Sequence, residues 1–362
     1  MVIKMHIRNF HKKFFAIALL FTYSFAFAQN SSRQPVYFPN ALVMDSKNNL
    51  YVSCNSQQPD IVKITPDGQS TEFISTALYR HRPSQKWASI DMFTPAGMAI
   101  DEDDTIYIAD KGGGDVLKVS PDGKITIVAG YKGHMIKDGP LSIASFKRPF
   151  FITIDRKKNI YVSDEGGDER TNTEYGVIRK ISNQGEVTTL KDHTGTELHF
   201  DAAGMVCDND GNLFVCDRTG RCIKKIMPDG NVSILGGLCG KRKTDPVYKE
   251  GDIKTAEIME PWFIALSKEG GIYFSDIRVN RIIKLADKKI FTVAGNSKID
   301  TQNSNIQGYS ESGYADGPAK AALFNEPLGI AFDKIGNLYI ADGMNHCIRK
   351  LSSDGIVSTY FK

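Results

Sequence analysis

The chain has 362 residues, 24% of them charged, with 45 basic against 42 acidic side chains and a formal net charge of +3. Setting aside the first 28 residues, which hold four basic and no acidic side chains, leaves 334 residues with 41 basic against 42 acidic, or −1. That balance argues against a phosphate-backbone partner, so no nucleic acid is expected.

The chain opens with Lys4, Arg8, Lys12 and Lys13, followed by an apolar run from Phe14 to Ala28 that ends Ala26-Phe27-Ala28. A basic region, an apolar core and a small-x-small ending form the pattern a signal peptidase reads. Cleavage is expected after Ala28, making Gln29 the first mature residue and the protein secreted or periplasmic. The run is too short for a good membrane span, so the chain is not expected to cross the bilayer.

From residue 37 onward one register recurs six times, over approximately 37–75, 93–130, 146–192, 200–237, 259–295 and 324–362. Each repeat opens with an apolar stretch, usually begun by Pro and usually ended by Asp, as in Pro95–Asp101 and Pro327–Asp333. A turn follows, then a five-residue strand such as Ile160–Asp164 or Leu338–Asp342. A third strand interleaves aliphatic with basic residues, as in Val177-Ile-Arg-Lys-Ile181, and a Pro-Asp-Gly-like turn leads into a fourth. Alternation, β-branched enrichment and Asp/Gly punctuation predict four short antiparallel strands per repeat. A lone four-stranded sheet cannot bury both faces, whereas six packed radially can. The predicted fold is all-β, a six-bladed propeller. Six complete blades leave no strand to exchange between the ends, so closure is expected by side-chain packing, helped by Arg33–Phe38.

The stretches Phe324-Asn-Glu-Pro-Leu-Gly-Ile-Ala-Phe-Asp333, Gly336-Asn-Leu-Tyr-Ile-Ala-Asp342 and Asn345-His-Cys-Ile-Arg-Lys350 resemble the NHL repeat. The linkers Asp138-Gly139-Pro140 through Phe146 and Asp316-Gly317-Pro318 through Phe324 resemble it too. The resemblance spans nearly all of the chain after the leader and implies an NHL-repeat propeller, bacterial and exported. It implies little about activity, because one scaffold hosts many.

Topology selects a face. The first-to-second and third-to-fourth turns are short and share one side. The second-to-third loops and the crossovers share the other, and Thr76–Thr94, Tyr131–Arg148, Leu238–Glu260 and Asn296–Glu326 are long. Loops of that length usually carry function. The histidines His81, His134, His193, His199 and His346 are all expected on this loop-rich face. Phe150 and Trp262 begin inner strands there, at positions filled by Asn40, Ala96, Ala203 and Leu328 in other repeats. Two aromatics at a channel mouth suit a stacking platform for a sugar or other flat ligand, or a plug of core. Arg80, Trp87, Arg218, Arg278 and the Lys241-Arg242-Lys243 run add cations or ring surface nearby. The candidate ligand-binding set is therefore Trp262, Phe150, Arg218, Arg278, Asn40, His134, His346, Arg80 and Trp87. The Asp residues ending second strands are expected to accept hydrogen bonds from loop N–H groups.

The six cysteines suggest one pairing, Cys222 with Cys239, because the third strand begins at Cys222 and the antiparallel fourth runs back to end near Gly237, just before Cys239. A second staple, Cys54 with Cys347, is expected at the closure. No His-x-His, His-Glu-x-x-His or Cys-x-x-Cys spacing is present, so no metal and no cofactor are expected. The complete repeat array and the lack of any catalytic motif favour a recognition module for a carbohydrate, peptide or protein ligand, expected to be monomeric. The alternative is an extracytoplasmic propeller enzyme of the lactonase or lyase kind, with its site at the channel mouth. Peptide-amidating lyases place His at inner-strand mouths, and gluconolactonase-type enzymes open with a Glu-Gly-Pro segment. This chain has Asn40, Ala96, Phe150, Ala203, Trp262 and Leu328 at the mouths, and Tyr37-Phe-Pro-Asn-Ala41 at the opening.

Overall fold

A computed structural model describes residues 35–55, 60–74, 94–130, 135–165, 176–240, 247–297 and 311–362. Six antiparallel meanders form six separate sheets. Their inner strands are Pro39–Met44, Pro95–Ile100, Pro149–Ile154, Ala202–Cys207, Pro261–Leu266 and Pro327–Phe332. Each packs against the inner strand of the next blade, and the sixth packs against the first, so the ring closes. Blade 1 spans Pro39–Ile74 and blade 6 ends with Ile356–Phe361, so the two ends share no strand. Val36 is buried beside Phe361, and Phe38 N–H donates to His346 Nδ1 at 3.1 Å across the seam.

The turns after the inner strands explain the recurring Asp. Asp45 accepts the Lys47 and Asn49 N–H groups at 2.8 Å each, and Asp155 and Asp333 repeat the arrangement with Asn159 and Asn337. A carboxylate there satisfies turn donors that no strand reaches.

The inner strands alternate in a way that makes the six blades three pairs. All six carry a register shift near the entry. In blades 1, 3 and 5 a serine hydroxyl caps the shifted N–H: Ser53 to Ala41, Ser163 to Phe151 and Ser275 to Phe263, at 2.9–3.1 Å. Blades 2, 4 and 6 instead place glycine at the shift. A Cβ on Gly97, Gly204 or Gly329 would meet the carbonyl oxygen of Phe150, Trp262 or Asn40 at 2.5, 2.6 or 2.2 Å. Glycine lets those backbones touch.

Parts of the crossovers are not free loops. Gly139–Pro140, Gly251–Asp252 and Gly317–Pro318 each add a fifth strand to the outer edge of the blade that follows, so blades 3, 5 and 6 extend beyond the repeat limits read from sequence. These segments reach the third-to-fourth turn of the next blade before returning: Leu141 N–H donates to Gly185, Ile253 to Lys288 and Ala319 to Gly355. His193 makes the corresponding contact in blade 4, its N–H donating to Gly230 O. His193 therefore lies against the short-turn side, contrary to the expectation that it shares the loop-rich face. The physical reason is edge protection: an outer strand exposes unpaired backbone groups, and the crossover covers them.

Two buried arginines lock this arrangement. Arg349 is fully buried and donates to Asp342 at 2.8 Å, to Asp316 at 2.5 Å, and to the carbonyls of Ala315 and Leu323. Arg179 does the same in blade 3 with Asp164, Asp138 and the carbonyls of Ser145 and Lys137. Asp138 and Asp316 also accept from Thr189 and Thr359 on the outer strand. The Asp-Gly-Pro linker and the Ile-Arg-Lys strand thus form one network.

Candidate functional site at the mouth of the channel

The register shift in the inner strand of blade 5 falls between Pro261 and Ile264, and that of blade 3 between Pro149 and Ile152. A bulge re-aims side chains, and here it brings Phe150, Phe151, Trp262 and Phe263 together. Phe151 and Phe263 stand 4.9 Å apart edge to face, and Trp262 lies 6.0 Å from Phe151 and 6.3 Å from Phe150. Phe263 also packs against the cores of the blade 1–2 and blade 5–6 interfaces, so the cluster fills the centre of the ring. Trp262 and Phe150 remain half-buried, with one side on this core.

Cations lie over both rings. Lys111 Nζ sits 4.0 Å from the Phe150 centroid, and the Arg218 guanidinium 4.8 Å from that of Trp262. Each cation has a carboxylate. Arg218 donates from Nε and Nη2 to Asp201 at 2.8 and 3.0 Å, and Lys111 faces Glu165 at 3.7 Å. Burial, with Arg148 and Arg218 nearby, pulls the Lys111 ammonium below its ordinary value against the opposing effect of Glu165.

Beside these pairs a cleft of about 310 Å³ opens between blades 3 and 4, lined by Arg148, Glu165, Phe200, Asp201, Arg218 and Thr219 among others. Its base holds Asp164, whose carboxyl is pushed up by burial despite hydrogen bonds from Lys147 and Arg148 N–H and the charge of Arg179.

The second-strand aspartates fix the geometry. Asp110 accepts from Thr94 N–H, Asp276 from Met259 and Glu260 N–H, and Asp342 from Asn325 N–H, all at 2.7–3.0 Å. Asp217 accepts from Gly220 N–H and pairs with Lys224 at 2.6 Å. In blade 5 Ile283 takes the position that Arg179 and Arg349 hold in blades 3 and 6, Arg281 pairs with Asp276 in the strand register, and burial raises the Asp276 pKa to about 6.

The residues singled out from sequence divide. Trp262, Phe150 and Arg218 come together, and Arg218 pairs with Asp201 rather than with the Asp217 that precedes it. Arg278 N–H donates to Asp276. Asn40 is buried and donates to Ala96 O at 2.6 Å, tying blade 1 to blade 2. His346 is held in the closure seam, its ring 4.1 Å from that of Phe38. His134, Arg80, Trp87, His81 and the 241–243 run lie outside the described residues. Lys111, Asp201 and Glu165 were missed; each flanks an inner strand or follows a second-strand Asp, and alignment of the repeats would have marked those positions. Cys222 and Cys239 are joined by a disulfide with Cα atoms 5.0 Å apart. Cys54 and Cys347 are free and buried, so the closure staple is absent and packing of Val36, Phe38 and His346 holds the seam instead.

Residues 192–362, just under half of the chain, match the family described as the Teneurin NHL domain. The chain is an NHL-repeat β-propeller. Human teneurin-4 is 26% identical to this NHL propeller over 162 residues, which cover 43% of the chain and 5% of teneurin-4; the propeller therefore corresponds to a small part of that relative. Among solved structures, an auxiliary nutrient binding protein from Bacteroides thetaiotaomicron aligns with a TM-score of 0.60 at 17% identity, over 90% of the propeller and 70% of that protein. Virginiamycin B lyase from Staphylococcus aureus aligns with a TM-score of 0.51 at 16% identity, over 89% and 83% respectively. At these identities the likeness is one of fold. Among the described residues, no helix is long and apolar enough to cross a membrane.

Proposed function

We propose that this NHL propeller is a non-catalytic recognition module that binds a neutral carbohydrate in the cleft between blades 3 and 4. The carrying observation is that two of the cations at the cleft already have carboxylates: Arg218 holds Asp201 with two hydrogen bonds, and Lys111 faces Glu165. Matched charges favour a ligand without net charge, so an acidic sugar or a carboxylate-bearing peptide is the poorer fit. Fixed donors and acceptors beside the half-buried ring of Phe200 suit hydroxyls and the apolar faces of sugar rings. A volume of about 310 Å³ is at the lower end for a small-ligand site.

The nutrient-binding relative supports this reading only by analogy, since its likeness is confined to fold. The same limit applies to virginiamycin B lyase, so no catalytic step is carried over from it. Export is part of the proposal: the secreted protein should begin at Gln29, which N-terminal sequencing would establish, and a retained leader would overturn it.

A glycan array followed by calorimetry tests the main claim. Binding of a neutral glycan that is lost in Arg218→Ala and unaffected by 0.5 M salt is the expected result. Binding confined to acidic glycans or peptides, or indifferent to Arg218, would overturn it.

A further inference from the structure

Blade 4 carries a second cluster, on chemistry different from that of the carbohydrate cleft. Asp217 ends the second strand, Leu213–Asp217, and Cys222 begins the third directly opposite it. Cys239 follows the fourth strand, Val232–Gly237. One carboxylate oxygen of Asp217 and the sulfurs of Cys222 and Cys239 all lie within 4.8 Å of one another. Asp217, Cys239, His199 and Lys224 line a cavity of about 400 Å³, which gives solvent a way in. The Lys224 ammonium lies 2.6 Å from Asp217 and 3.8 Å from the centre of the Phe200 ring. A cation therefore already stands at the negative end of the cluster.

We propose that opening the Cys222–Cys239 disulfide converts this cluster into a site for one thiophilic divalent cation of the Zn²⁺ class. A dithiol reductant delivers two electrons and two protons, breaks the S–S bond and is itself oxidised to a disulfide. The metal then displaces both thiol protons to solvent, forming two metal–sulfur bonds and one metal–oxygen bond to Asp217. Lys224 gives up Asp217 and keeps its place over Phe200. Two thiolates and a carboxylate are three donors suited to Zn²⁺, and water completes four. The cysteines are 17 residues apart, so no short metal-binding spacing announces the site in sequence.

The test uses the full chain, prepared oxidised and, separately, reduced with dithiothreitol that is then removed without air. Zn²⁺ is counted by native mass spectrometry, and Co²⁺ is followed by its thiolate charge-transfer absorption. One metal per reduced chain, none per oxidised chain, and loss of the absorption in Cys239→Ser are expected. Lys224→Gln, which removes the competing cation, should bind about tenfold more tightly. Folding is checked by circular dichroism, and reduced wild-type protein alkylated with iodoacetamide replaces Cys239→Ser if that variant does not fold. Cys54, Cys207, Cys216 and Cys347 are free thiols in both preparations and cannot produce the difference. Equal metal content in the oxidised and reduced chains, or a folded reduced chain that takes up no metal, would overturn the proposal. So would tight binding that persists after alkylation.

Discussion

The Arg218 guanidinium stacks 4.8 Å from the centre of the Trp262 ring while two of its N–H groups grip the Asp201 carboxylate. Blades 4 and 5 are thereby joined at the channel mouth by one side chain with both an aromatic and an ionic partner. Removing each partner has a different consequence. Trp262→Ala opens a cavity against Phe150 and Phe151 and should cost about 3 kcal/mol. Arg218→Ala removes a partly exposed pair and should cost about 1 kcal/mol. Urea denaturation of the two variants checks this order, and equal losses would mean that Trp262 is not part of the packed centre.

Arg349 offers the sharpest stability test. It is fully buried between Asp342, also fully buried, and the partly exposed Asp316. Arg349→Leu leaves Asp342 charged and unpaired in the core, and should lose about 3–5 kcal/mol. Arg349→Leu combined with Asp342→Asn should recover part of that loss, because the stranded charge is gone. A double variant as unstable as the single one would place the cost in the backbone carbonyls that Arg349 also holds.

Ring closure depends on a contact that a methyl group would break. A Cβ at Gly329 would lie 2.2 Å from Asn40 O, on backbone that flexible side chains cannot relieve. Gly329→Ala should cost about 2–3 kcal/mol through overpacking at the blade 6–blade 1 seam. Gly336→Ala, at a turn with open space around it but φ of +91°, should cost about 1 kcal/mol through backbone strain alone. Thermal melts of both variants check the ranking.

Asp276 predicts a pH dependence with a definite sign. Its folded pKa is raised to about 6 by burial, against 3.8 for an ordinary aspartate. Between those values the folded state holds a proton that the unfolded state has released, so this group's contribution to stability falls as pH rises from about 4 to 6. The full penalty, about 3 kcal/mol, is present above that window. Asp276→Asn should remove this component. Urea midpoints at pH 4, 5, 6 and 7 should therefore show the wild type falling relative to the variant as pH rises, and parallel curves would show that Asp276 ionises at no cost.

The number of blades, their strands and their order were legible in the sequence because each is a local pattern repeated six times. Apolar alternation, an Asp that caps the following turn and a Pro-Asp-Gly turn act within a few residues of one another. The aromatic pair at positions 150 and 262 was legible too, since aligning the repeats puts both at the same place. Local pattern could not decide what crosses between blades. Arg179 and Arg349 alternate with aliphatic residues as a solvated strand face would, yet the returning linkers bury them. His193 was assigned to the wrong side because a crossover's length does not reveal that it runs down an outer strand to satisfy that edge. The pairing of Arg218 with Asp201, and the placing of the Asp217 carboxylate within 4.8 Å of the Cys222 and Cys239 sulfurs, likewise came only from the tertiary structure. Sequence sets which groups each blade carries, whereas the packing of neighbouring blades sets their distances, and Coulomb and hydrogen-bond energies depend on distance.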